Sequence, residues 1–190
     1  PSLAGGEVSP AIGARVDIDK YKSSLETCEN AFVQVHGGVS NRPGFEFVAE
    51  VKDSSASVRI IPFEYNTEQT YILELGDLYM RVHKDGGQVL KSSGGTGTIS
   101  GATAANPVVI TATAHPHVNG EDVYVSGVVG MTSLNGRTMR VANKTTNTYE
   151  LTDFDGNNID SSAYTAYSSG GTSVEVFELT TTYIAAELFD

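Results

Sequence analysis

The sequence predicts a mainly β protein: an antiparallel β-meander with one short N-terminal helix, and a second, small barrel-like β module set further along the chain. Three observations predict this. Apolar residues alternate with polar ones in short runs, as Val123 and Val125 do with Tyr124 and Ser126, and Met139 and Val141 with Arg140 and Ala142. Tight-turn dipeptides separate the runs, Asn135-Gly136 and Asp85-Gly86 among them, because these residues tolerate positive φ. A helical period is marked in one stretch, where Ile18, Tyr21, Leu25 and Cys28 follow a potential cap at Asp17.

Residues 1–13 contain three Gly and two Pro without periodicity, and read as an arm that a neighbour must order. The stripe over 17–28 predicts about three helical turns, with Cys28 buried on it as a small hydrophobe. Ala31, Val33 and Val35 predict a strand, followed by turns at Gly37-Gly38 and 41–44. Phe45, Phe47, Ala49 and Val51 predict the next strand, with Glu46, Glu50 and Lys52 on its other face. Residues 58–63 return from a polar turn at 53–57, and Pro62 places that strand toward a sheet edge. Residues 71–75 and 78–82 flank Gly76-Asp77 as a hairpin, and Lys84-Asp85-Gly86-Gly87 turns into Val89 and Leu90. Sequence neighbours pair throughout, which is a meander.

Composition then changes. Residues 91–105 are rich in Gly, Ser, Thr and Ala and read as a linker or crossover. The second module opens at 108–111. Its clearest part is 121–151, three short strands separated by the 127–136 and 143–147 segments. A turn at 153–162 and strands at 164–167 and 173–179 complete it. The last residues, 180–190, carry a new pattern without a closing element, so a larger protein is expected to continue past Asp190.

The charge balance excludes some functions. The formal charge is −11, from 9 basic and 13 acidic residues in 1–92 (−4) and from 3 and 10 in 93–190 (−7). Neither half has the basic footprint of a nucleic-acid binder. An acidic surface repels DNA, which suits a channel wall better than a grip; the plainer reading is that the charge only keeps the protein soluble. The single cysteine, Cys28, permits no intramolecular disulfide, and no Cys/His spacing matches a zinc site. No apolar run reaches membrane-helix length and no signal peptide leads the chain, so a soluble protein made in a reducing cytoplasm is expected.

Each motif with chemical potential has a plainer reading. In 153–160 (DFDGNNID) the Gly comes too early for a calcium loop and no Glu follows in place, so a hairpin turn explains the same letters. His115 and His117 lie two apart, but two ligands do not make a metal site. Gly94-Gly95-Thr96-Gly97-Thr98 lacks the Lys-Ser/Thr of a phosphate loop and reads as a linker. Asn143-Lys144-Thr145 is a glycosylation sequon by letter only. Tyr124, Tyr164 and Tyr167 are candidates for a sugar-stacking face, or ordinary half-buried strand residues. No nucleophile elbow is present and no acid pair stands out for glycoside hydrolysis. No catalytic, cofactor-binding or metal-binding residue is therefore assigned, no cofactor is expected, and the chain is read as non-enzymatic.

An ordered set of letters goes further. It comprises Leu3-Ala4-Gly5-Gly6-Glu7-Val8-Ser9-Pro10, Arg15-x-Asp17, Lys20-Tyr21, Cys28-x-Asn30, Gly37-Gly38 and Arg42-Pro43-Gly44-x-x-Phe47-Val48. Ile61-Pro62-Phe63, Thr70-Tyr71 and Tyr79-Met80-Arg81-Val82 continue it. Over residues 3–90 this set resembles the start of the tail nozzle or tail tubular proteins of short-tailed bacteriophages. Residues 98–178 resemble a small β module named after the first catalytic-cysteine half-domain (FCCH-like) of ubiquitin-activating enzymes. The matching letters are His117-x-x-Gly120-x-x-Val123-x-Val125-x-Gly127, Leu134-Asn135-Gly136-Arg137 and Thr148-Tyr149-Glu150-Leu151. No ubiquitin chemistry follows, since Cys28 lies outside the module. Thr181-Thr182-Tyr183 and Ala185-Ala186-x-Leu188 are similar to the strand that resumes after such an insertion.

The resemblance implies a base domain beginning at 1–96, an inserted module over 97–178 and a return to the base at 179–190. It also implies a virion tail protein assembled in the host bacterial cytoplasm: a homo-oligomeric ring, six copies expected, joined to portal, adaptor and other tail proteins. DNA would pass through it without specific binding, and no membrane segment is implied. The alternative is a carbohydrate- or receptor-binding β module of a phage or bacterial surface protein.

Overall fold

A computed structural model describes residues 2–66 and 69–189; Pro1 of the expected arm and Asp190 of the expected return segment lie outside the described residues. The described chain is built from short strands, almost all antiparallel, with 3-10 turns as its helical elements. This is the mainly β fold that the alternation predicts. Two units, residues 1–47 and 48–190, are compact in themselves.

In the first unit, β1 (Gly6–Glu7) pairs in parallel with β2 (Ser24–Leu25), and β3 (Ala31–Val33) forms a hairpin with β4 (Val39–Asn41) around the expected Gly37-Gly38 turn. The N-terminal stretch is not a free arm. Leu3 N–H donates to Gly37 O and Gly5 N–H to Ser23 O, within the unit. The expected helix over 17–28 is absent. Only a 3-10 turn at Asp19–Ser23 forms, and Ser24–Leu25 beyond it is strand. Asp17 does not cap it, because its carboxylate is held by Arg15 at 2.6 Å. Ser23 and Ser24 turn their hydroxyls onto Lys20 O, the local bonding by which serine competes with helix. A helix of three turns also needs a surface for its stripe. The unit offers none, since Gly37 is its only buried described residue. Cys28 is accordingly half-buried rather than a core residue.

The strand expected at 45–51 is also absent, and residues 42–58 contain no regular strand. Phe45 and Phe47 are 88% and 80% exposed. Their alternation marks a face, but a strand requires a hydrogen-bonding neighbour, and this segment has none among the described residues.

The second unit holds two sheets. In the first, β5 (Arg59–Glu64), β6 (Thr70–Gly76), β7 (Tyr79–Lys84) and β8 (Gly87–Gln88) make the predicted meander. Asp85 (φ 52) and Gly86 (φ 77) both take left-handed backbone, the type I′ geometry expected of Asp-Gly. The other turn is Asp77-Leu78 rather than Gly76-Asp77, because Gly76 still pairs with Tyr79. At the far end of the chain β16 (Glu178–Thr180) returns to this sheet, so that β8 and β16 share the outer edge of β7.

Between them the chain builds a seven-stranded antiparallel sheet from β9 (Thr96–Thr98), β10 (Gly101–Ala102), β11 (Val109–Thr111), β12 (Asp122–Ser126), β13 (Arg137–Ala142), β14 (Thr148–Thr152) and β15 (Thr172–Glu175). The strand order is β10-β11-β14-β13-β12-β15-β9. No hydrogen-bonded ring closes it, so the barrel-like expectation becomes an open sheet. Its two edges are nonetheless consecutive, since β9 and β10 are separated only by Ile99 and Ser100. Within the 91–105 stretch read as a linker, 96–98 and 101–102 are thus strand. Positions 95, 97 and 99 are buried and 96 and 98 exposed, a period of two carried by glycines. A strand expected at 164–167 is missing; Tyr164 and Tyr167 instead pack against the core.

The apolar core belongs to this second sheet and includes Ile99, Val108, Ile110, Val123, Val125, Met131, Leu134, Met139, Tyr149 and Leu151. The meander is arranged in the opposite sense. Its buried face carries Glu74, Tyr79, Arg81 and His83. Its other face carries Ile61, Leu73 and Val82 in one cross-strand row and Leu75, Met80 and Leu179 in the next, none of them fully buried.

Candidate functional site

The buried charges lie where the two sheets meet. Alternation on β7 points Tyr79, Arg81 and His83 to one side, and the outward row of β12 and β13 brings Asp122 and Arg140 as a cross-strand pair. Arg81, 1% exposed, is held by Asp122 and by Glu178 of β16, the latter 2.9 Å from its Nε. Arg140 Nε donates to the second oxygen of Asp122 at 2.9 Å, and Lys52 pairs with Glu178. Burial alone would lower the Arg81 pKa, but the two carboxylates outweigh it and raise it. Beside it, Glu74 accepts from Tyr79 Oη at 2.7 Å and lies 2.9 Å from His83 Nε2. Burial acts to raise the Glu74 pKa, yet these bonds and the Arg81 charge hold it below the usual carboxylate range. Burial, then Glu74, pushes the Tyr79 hydroxyl well above its usual range.

A cleft of about 450 Å³ opens beside this cluster, within the second unit. The 52–58 segment, the 76–79 turn and the 153–155 turn frame it, and Lys52, Asp53, Tyr79, Arg140, Phe154 and Asp155 line it. Its cations are already engaged. Arg140 Nη1 donates to Phe154 O at 3.2 Å and Nη2 to Lys52 O at 3.1 Å, and its guanidinium lies 5.3 Å over the Phe154 ring. Lys52 lies 5.0 Å over the Tyr79 ring.

The histidine pair sits in the second sheet's interior. His115 and His117 stack at 5.5 Å between centroids, and each meets Tyr149 edge-on. Ser173 Oγ is 2.8 Å from His117 Nε2, accepts from Tyr149 Oη at 2.7 Å and donates to Gly97 O at 3.3 Å. Glu121 lies 3.9 Å from His117 Nδ1. Ser, His and Glu thus occur in the order of an acyl-transfer triad. Ser173, His117 and Tyr149 are all 0% exposed, however. A nucleophile must reach its substrate, so the cluster is a packed polar plug. Burial and the His115 neighbour push the His117 pKa down to about 4, and burial raises that of Tyr149 to about 12.

The other motifs fall in structural roles. Asp153 binds its own turn: Asn157 N–H donates to Oδ1 at 2.7 Å and Asn157 Nδ2 to Oδ2 at 3.0 Å, with Gly156 at φ 85. Among the described residues no three His, Cys, Asp or Glu side chains are grouped to hold a metal ion. Tyr167 Oη donates inward to Ile99 O and Gly170 O, whereas Tyr164 Oη accepts from Arg137 and keeps its own proton. Asn143 donates to Glu150 at 2.7 Å. Among the described residues no helix is long and apolar enough to cross a membrane.

The joint and the cleft were missed in the sequence. Their signal was the charged alternation Arg81, His83 and Glu74 in an otherwise apolar meander, which reads as the solvent side until Asp122 is brought across. No family model matches the chain, and no curated protein matches it.

Proposed function

We propose that this chain is a structural component of a bacteriophage tail, part of a nozzle or tube ring through which DNA is ejected. The observation that carries the reading is one sheet interrupted by another. The meander breaks off after β8 and resumes at β16 on the same strand β7, and the seven-stranded sheet between them has its own core. A base domain decorated by an inserted module is the organisation that the quoted tail-protein letters imply. Two further features support it. The half-covered apolar face of the meander suits burial against a neighbouring subunit. The formal charge of −11 suits a wall past which DNA slides. The ring is proposed to have six copies and to contact portal, adaptor and other tail proteins.

Native mass spectrometry of the purified protein tests this reading. A closed multi-copy ring is expected, together with no retardation of duplex DNA at physiological salt. A monomer at every concentration, or tight DNA binding, contradicts it. The alternative, a carbohydrate- or receptor-binding module, is favoured by one observation, the cleft beside Arg140.

A further inference from the structure

We propose that the cleft framed by Lys52, Phe154 and Asp155 binds a neutral oligosaccharide. The inference does not rest on the tail reading. A volume of about 450 Å³ lies within the range of small-molecule sites. The lining decides the class of ligand. An anion finds no free cation there, because Lys52 is paired with Glu178 and Arg140 is spent on Asp122, Phe154 O and Lys52 O. It also meets the carboxylates of Asp53, Asp77 and Asp155. Asp53, Asp77 and Asp155 are exposed and, among the described residues, are not grouped to hold a metal ion, so a small cation gains no built site there. A purely apolar ligand would strip water from those five charged groups without replacing their hydrogen bonds.

What remains is a neutral molecule that donates many hydrogen bonds and has apolar faces. Acceptors for it are at hand. Asp53 Oδ1 is taken by Ser55 and Asp77 Oδ1 by the Ala185 N–H, which leaves Oδ2 of each. The exposed Asp155 carboxylate makes no hydrogen bond among the described residues. The half-buried Phe154 ring, with Ala56 and Val58, supplies the apolar surface against which the C–H face of a pyranose packs. Hydroxyls around the edge and C–H groups on the faces are the features of a sugar ring. The tyrosines singled out in the sequence do not line this cleft.

The test is a glycan array bearing neutral, sialylated, sulfated and amino-sugar oligosaccharides, probed with the 190-residue protein. Titration calorimetry on the best-retained neutral glycan follows. Retention of neutral glycans is expected. Asp155→Asn, at an exposed position, should weaken binding about tenfold, the cost of losing a charged acceptor, with no change in melting temperature. Phe154→Ala should weaken it at least as much, while Tyr164→Phe leaves it unchanged. No retention of any glycan overturns the proposal, as does retention of charged glycans alone. Equal affinity of wild type and Asp155→Asn for the neutral glycan also overturns it, and that variant reports even if Phe154→Ala fails to fold.

Discussion

Asp122 is the residue on which the joint between the sheets depends. It neutralises Arg81, which is 1% exposed, and engages Arg140 with its other oxygen. A buried ion pair is costly to break because it strands a charge. Asp122→Ala should therefore lower stability by about 3–5 kcal/mol, read from the urea midpoint. The double change Arg81→Met with Asp122→Leu should cost less than Asp122→Ala alone, since no such charge is stranded. A single variant within about 0.5 kcal/mol of wild type, the range of an ordinary surface change, contradicts this view of the joint. His117 sets a pH dependence of definite sign. Its pKa is about 4 in the fold against 6.5 in the unfolded chain. Below pH 6.5 the unfolded chain takes up a proton that the fold refuses, so stability present above pH 6.5 is lost as pH falls toward 4. The full effect is on the order of 3 kcal/mol. Between pH 6.5 and 5, above most carboxylate titrations, His117→Gln should show a shallower fall in unfolding free energy than wild type. Parallel curves would mean that His117 is not buried in its neutral form.

At the scale of elements, β9 shows what the sequence hid. Gly97 occupies its buried position because nothing larger fits there. A Cβ on Gly97 would lie 2.8 Å from both His117 Nε2 and Ser173 Oγ. Gly97→Ala should cost about 1–3 kcal/mol by overpacking, whereas Thr98→Ala, on the exposed side, should stay within about 0.5 kcal/mol. Thermal unfolding of both variants checks this, and equal melting temperatures would return 94–98 to the status of a linker. Hydropathy has no voice at glycine, so a period of two written in glycines looks like low complexity. The turns were legible because their chemistry is local: Asp85-Gly86 needs nothing beyond its own φ angles, and Asn135-Gly136 places its one left-handed angle on Gly136. The strands at 122–126 and 137–142 were legible because one face of each meets an apolar core. The helix expected at 17–28 carries a correct period, but its own unit gives it nothing to bury against, and the strand expected at 45–51 has no hydrogen-bonding neighbour among the described residues. The Arg81–Asp122 joint links residues 41 apart in the chain, a pairing that no local pattern encodes.

For the whole molecule the contrast between the units is the main consequence. Residues 48–190 contain the entire buried apolar cluster, whereas Gly37 is the only buried described residue of 1–47. A chain of that length without a core does not normally fold alone. Expressed separately, 48–190 should melt in one cooperative transition and 1–47 should show none by circular dichroism. A sharp transition in 1–47 would contradict the account of its packing. A coreless unit, a half-covered apolar sheet face and a sheet with its own core set between β8 and β16 are the features on which the tail proposal is based. Immunogold electron microscopy of phage particles, with antibody raised against residues 1–190, tests that proposal most directly. Label between head and tail tip is the predicted result; intact and tail-exposed particles that carry no label would contradict it.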